Sequence, residues 1–264
     1  MFKKRQSAKI SPITDNLLRN PGQSLDEELQ RIWDEDISEA IGILSLTFTL
    51  LIYEWVQWIF NIDPHPLVVT LLLIPLMLFM ILKLYKAKQL RRRLKMARDG
   101  EKAVGQYLSD LREQGHRVYH DIIGKNFNID HVIVSDRGIF TVETKTYSKP
   151  SSGRPTLVFD VNQITRNGKP LQQDAVQQAQ SQAKWLHDLL QESTGRDLPV
   201  KPVVVFPGWF IEKTPEAKSS PVWVLNPKAL PKFLEHEPQR ISAEDVKLTA
   251  YHLSRYIRAN PTDY

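Results

Sequence analysis

Two patterns of apolar residues divide the chain. The first is continuous. Pro66 to Leu82 is a run of seventeen residues without a charge, rich in Leu, Val, Ile, Met and Phe. As a helix it spans roughly 25 Å, and Lys83 and Tyr85 extend it to the interfaces of a ~30 Å hydrocarbon core. Pro66 suits a first helical turn, and Pro75 predicts a kink of the kind membrane helices tolerate. An upstream segment, 37–60, has a shorter uncharged centre, Ala40 to Tyr53. Glu39 and Glu54 flank it at headgroup level, and Trp55, Trp58 and Phe60 form an aromatic belt. Residues 61–65 (Asn-Ile-Asp-Pro-His) read as the turn of a two-helix transmembrane hairpin over 37–84.

The second pattern is periodic. Val104, Leu108 and Leu111 recur at helical spacing, which predicts a helix over 97–114 closed by Gly115. Strands are expected at 117–123, 129–135, 138–146, 157–161 and 163–165, with a long amphipathic helix at 173–192. The β-branched run 200–206 reads as a buried strand and 222–225 as a short one. Ser242-Ala-Glu-Asp245 is a capping box opening a last helix to about Asn260. The order of elements predicts an α/β (α+β) fold, a mixed sheet flanked by helices. The expected organisation is an N-terminal segment 1–36, the hairpin 37–84, a basic linker helix 85–99, a catalytic-type domain 100–225 and a helical extension 226–264.

Charge sharpens this division. The chain carries a formal +5. Residues 85–99 alone hold seven basic side chains against one acidic, whereas 100–264 hold 21 against 19. The basicity therefore marks the cytoplasmic end of the second span and a contact for anionic lipid at 86–98. It is no argument for nucleic acid binding by the C-terminal domain. With Lys3, Lys4, Arg5 and Lys9 at the other end, both termini are expected in the cytoplasm of an inner-membrane, multi-pass protein. The absence of cysteine excludes disulfides and thiolate metal sites.

The candidate chemistry lies in one hairpin. If Asp136-Arg137 is a two-residue loop, Ser135 pairs with Gly138 and Asp130 falls directly across from Glu143. Their Cβ atoms would then be roughly 4.5–5.5 Å apart on one face. A three-residue loop would break this register. Two such carboxylates repel unless something neutralises them, and a divalent cation with oxygen ligands does so. Lys145 projects on the same face. His131 points to the other face and reads as a core histidine. Trp209 and Phe210, beside Pro207-Gly208, read as packing under the sheet.

These residues resemble the nuclease-related domain, NERD, a branch of the PD-(D/E)XK nuclease superfamily. The resemblance rests on GEKAVGQYLSDL at 100–111, NIDHVIVSDRGIFTVETKTYS at 128–148 and DAVQQAQSQAKWL at 174–186, and covers about 98–206. It implies a restriction-endonuclease-like fold and hydrolysis of phosphodiester bonds with Mg²⁺ or Mn²⁺, on DNA in preference to RNA. It implies metal-binding carboxylates at Asp130 and Glu143, helped by Glu101 and by the backbone carbonyl of Thr144. Lys145 would activate water and stabilise the charged phosphate, and Gln178 would close the site. The chain departs from the pattern near Thr146 and Lys149, where relatives carry Asn or Asp and then Gly. It departs again at Asp174-Ala175, where relatives carry Asn-Pro. The alternative is a catalytically silent NERD domain that binds nucleic acid or protein at the membrane.

The two-span topology is checked by reporter fusions. A fusion at Asp63 is expected outside and one at the C-terminus inside; a cytoplasmic reading at Asp63 contradicts it.

Overall fold

The computed structural model describes residues 17–61, 65–161, 163–171 and 174–260. The chain forms two compact units, Gly22–Lys102 and a second in which the segment ending at Pro21 joins Ala103–Tyr264. The fold is mixed α/β, with two mixed sheets.

The first unit contains helix α1 (Gln23–Arg31), a π-helical stretch Ile32–Ile37, α2 (Ser38–Ile59) and the beginning of α3 (Pro66–Glu113). Two helical segments, Gln23–Ile59 and Pro66–Glu113, are long and apolar enough to cross a membrane. Large apolar side chains such as Phe48, Trp58, Leu67, Leu71, Leu72 and Phe79 face outward along them. Ile32 and Ile37 pack with Ala87, Leu84 and Leu94. Beside them Lys83 Nζ reaches Glu39 at 2.9 Å and Asp36 at 3.4 Å, so the acidic start of one apolar segment meets the basic end of the other. Most of the expected turn at 61–65 lies outside the described residues.

α3 corrects one expectation. The linker helix and the helix at 97–114 are not separate elements; helix continues unbroken from Pro66 through Pro75 to Glu113. Residues 85–99 are Lys, Arg, Leu, Met, Ala and Gln with one Tyr and one Asp, all compatible with a helix and lacking Gly or Pro. The helix ends where expected. Gly115 takes φ 88°, and the amide of His116 returns to the carbonyl of Leu111, closing a Schellman turn.

In the second unit the main sheet comprises β1 (Arg117–Ile123), β2 (Asn128–Ser135), β3 (Gly138–Thr144), β7 (Val200–Val205) and β9 (Trp223–Leu225), in that spatial order. β1, β2 and β3 run antiparallel; β7 and β9 continue parallel to β3. One face packs on Val104, Leu108 and Leu111 of α3 and on α5 (Leu230–His236). The other packs on α4 (Ala175–Thr194) and α6 (Ala243–Ala259). Ser242 caps α6 as expected, its Oγ accepting the amide of Asp245 at 3.1 Å.

A smaller sheet orders β6 (Lys169–Pro170), β5 (Gln163–Arg166), β4 (Thr156–Asp160) and β8 (Phe210–Lys213). Sequence patterning missed β8, a four-residue strand, Phe-Ile-Glu-Lys, whose two apolar residues are followed by two charged ones with no period of two. Leu157, Phe159, Phe206 and the buried Trp209 pack there on Ala175, Val176 and Ala179 of α4.

His120 and His131 stand opposite each other in β1 and β2, both buried. Arg112 Nη2 lies 3.2 Å from His120 Nε2 and can only donate, so His120 Nδ1 carries the proton. That nitrogen therefore donates to His131 Nδ1 at 2.9 Å. Burial and the neighbouring Arg112 charge lower the His120 pKa from 6.5 to about 4. The folded state thus binds fewer protons than the unfolded chain between these values. The His120 contribution to stability is complete above pH 6.5 and is lost as pH falls towards 4. Denaturant unfolding of the full chain in detergent is expected to show this loss, and His120→Leu to make it shallower, with burial of His131 still contributing. Parallel profiles for the two proteins would contradict the account.

Candidate active site

The β2–β3 register is the one a two-residue loop imposes: Ser135 opposes Gly138 and His131 opposes Val142. One step further along this register lie Asp130 and Glu143. The Asp130 carboxylate reaches across the strands, Oδ2 accepting the amide of Thr144 at 2.7 Å. This fixes one carboxylate at the end of β3, where Glu143 and Lys145 emerge. The Lys145 amide in turn donates to the Val205 carbonyl at 2.9 Å, tying this end of β3 to β7.

Glu143 alternates with Thr141 and Ile139, so it faces α4. Its Oε2 accepts Gln182 Nε2 at 2.6 Å, and its Oε1 lies 2.8 Å from Lys145 Nζ. Lys145 Nζ also donates to Gln178 Oε1 at 2.7 Å. Gln178 and Gln182 are four residues apart and share one face of α4, so a single helix holds both ends of the ion pair. Four of the expected residues, Asp130, Glu143, Lys145 and Gln178, therefore come together, along with the backbone of Thr144. Gln182 was missed. Its signal was the i, i+4 spacing from Gln178, obscured by the neighbouring glutamines 177 and 180.

Burial makes these contacts obligatory. The Glu143 side chain is 4% exposed and that of Lys145 13%, so the ammonium is the more accessible group. A buried carboxylate is costly by several kcal/mol unless paired and hydrogen-bonded. Gln182 has a second role, since its Nε2 also donates to the Asn128 carbonyl at 3.0 Å. Gln182 Oε1 and Thr144 Oγ1 are buried without a hydrogen-bond partner among the described residues. Glu101 is buried on α3. Among the described residues no three His, Asp or Glu side chains cluster closely enough to hold a metal ion between them.

Beyond the ion pair the chain enters the smaller sheet, and its charge changes. Residues 145–170 hold five basic side chains, Lys145, Lys149, Arg154, Arg166 and Lys169, against one acidic, Asp160. Two of the arginines lie over aromatic faces. The Arg154 guanidinium is 3.6 Å from the Phe210 ring centroid, and that of Arg166 is 5.0 Å from the Trp209 ring. The near-neutral total of residues 100–264 therefore hides a basic stretch of chain that begins at Lys145. Phe210 is exposed rather than packed under the sheet, unlike Trp209.

No curated protein matches the chain significantly. Among solved structures, the crystal structure of protein VC1899 from Vibrio cholerae aligns over 92% of this chain, at 13% identity and a TM-score of 0.28. The chain spans 59% of that protein's length. The family model that matches, over residues 97–207, is the nuclease-related domain. This stretch, which contains the register, the ion pair and both α4 glutamines, is similar to the nuclease-related domain, a domain of the PD-(D/E)XK-like nuclease superfamily.

Proposed function

We propose that the chain is a membrane-anchored, metal-dependent nuclease that hydrolyses phosphodiester bonds, with DNA preferred over RNA as the family resemblance implies. The observation that carries this reading is the convergence of Asp130, Glu143 and Lys145 at one end of β3. The restriction-endonuclease-like description of the fold belongs to the same proposal. So does the placement of residues 37–84 in an inner membrane with both termini cytoplasmic.

The donor set fits a hard divalent cation, Mg²⁺ or Mn²⁺. Such ions take one or two carboxylates and leave other positions to water and substrate phosphate. Asp130, Glu143 and the Thr144 carbonyl would supply the protein oxygens. When bound, the ion supplies a more acidic water and offsets charge on the phosphate. The remaining work falls to the side chains. Asp130 is kept in place by the Thr144 amide. Gln182 orients Glu143, and Gln178 holds the Lys145 ammonium at the more accessible edge of the site. A fixed ammonium there stabilises the negative charge that develops as water attacks phosphorus. The resemblance gives Glu101 an assisting role, and no step here depends on it. Lys149, Arg154, Arg166 and Lys169 offer positive charge to a nucleic acid backbone beyond the scissile bond.

The membrane topology has a physical argument of its own. Arg19 precedes the apolar helices and Asp121 follows them, yet the two side chains form a buried ion pair at 2.7 Å. If the apolar helices cross a bilayer, they must cross it an even number of times. Two spans satisfy this, and the basic residues 86–98 then lie against anionic headgroups.

The full chain in detergent is expected to cleave labelled nucleic acid with Mg²⁺ or Mn²⁺ and to lose this activity in EDTA. Glu143→Gln and Lys145→Ala should each lower the rate by about 100- to 1,000-fold. Cleavage that persists in both variants places the chemistry elsewhere. Binding without cleavage supports the silent binding module instead.

A further inference from the structure

We propose that residues 19–21, ahead of the apolar helices, are a working part of the site, and that Arg19 is a positioning residue for Glu143. The proposal rests on the hydrolase reading for its consequences, but its geometry stands apart from it. Arg19 lies well outside the 97–207 family match. Its Nε is 2.7 Å from Asp121 Oδ2, with side-chain exposures of 7% and 0%. Close by, Pro21 packs against α3 at Gly105, where an added Cβ would lie 2.4 Å from Pro21 Cγ. Only glycine admits that approach. Two independent contacts therefore dock residues 19–21 on the domain.

Asp121 is an unusual residue in its own right. It sits within β1 at φ 51°, a left-handed conformation that is unfavourable for a non-glycine residue. Its neighbours pair as His120 with His131 and Ile122 with Ile129, which sets Asp121 opposite Asp130. Asp121, Asp130 and Glu143 thus occupy corresponding positions on three adjacent strands. A carboxylate buried as fully as that of Asp121 needs positive charge and hydrogen bonds, and Arg19 brings the charge to it.

From Asp121 a continuous path of hydrogen bonds leads to the site. Asn128 Nδ2 donates to Asp121 Oδ1 at 3.0 Å. The Asn128 carbonyl accepts Gln182 Nε2 at 3.0 Å, and the same nitrogen donates to Glu143 at 2.6 Å. Arg19 holds Asp121, Asp121 holds Asn128, and Asn128 holds the amide that orients Glu143. Loss of Arg19 leaves a buried carboxylate without this counter-charge at the head of the path. Outer partners of this type typically change metal affinity or activity by about 10- to 100-fold.

The test uses the full chain in detergent, as wild type, Arg19→Ala, Arg19→Lys and Glu143→Gln. Hydrogen–deuterium exchange provides a readout independent of metal and activity. Arg19→Ala is expected to raise exchange in residues 128–144 and 175–186, and Arg19→Lys, which keeps the charge, to restore most of the protection. Mn²⁺ binding, followed by the EPR signal of the free ion, should weaken about 10- to 100-fold in Arg19→Ala at temperatures where it is folded. Exchange that changes only in residues 17–21 and 117–123 overturns the proposal, because Arg19 would then merely neutralise Asp121. So does unchanged Mn²⁺ affinity in folded Arg19→Ala beside weakened affinity in Glu143→Gln. If Glu143→Gln and wild type bind Mn²⁺ alike, the metal reading falls, and the exchange comparison alone decides the role of Arg19.

Discussion

Burying the Glu143 carboxylate is tolerable only because Lys145 and Gln182 take both of its oxygens. Much of the domain serves that requirement. The two-residue turn at Asp136-Arg137 sets the register that brings Asp130 level with Glu143. The parallel addition of β7 holds the end of β3 through the Lys145 amide. α4 crosses the same face with glutamines one turn apart, one for each member of the ion pair. The apolar side chains of α4 that pack on the smaller sheet keep the helix in place. An ion pair in this setting adds little net stability compared with apolar packing, but it fixes where charged groups can stand.

The hairpin was readable from the chain because a strand's period of two leaves few choices. Once Ser135 and Gly138 are taken as partners, the opposition of Asp130 and Glu143 follows, as does the placement of His131 on the other face. The last helix was readable through its Ser242 cap, and the end of α3 through Gly115. These are local rules: each depends on residues a few positions apart, and nothing distant overrides them.

What escaped was what depends on distance in sequence. Arg19 and Asp121 are 102 positions apart, and neither has a neighbour that marks it as a partner. Gln182 looked like one glutamine among several until the helix phase placed it over Glu143. The continuous α3 was hidden by a change of composition at Lys86 that alters solvent preference without interrupting the helix. The basic stretch after Lys145 was hidden by averaging, since acidic residues elsewhere in the domain cancel it. β8 was too short and too exposed to leave a pattern, and it is ordered by pairing with β4.

Locating Mn²⁺ by its anomalous scattering, in crystals of the full chain grown with the ion, tests the central claim most directly. The account predicts a peak bound by oxygens of both Asp130 and Glu143, with Lys145 Nζ moved away from Glu143 Oε1 and still near Gln178. A chain that takes up no Mn²⁺ between those carboxylates and keeps the Lys145–Glu143 contact would contradict it.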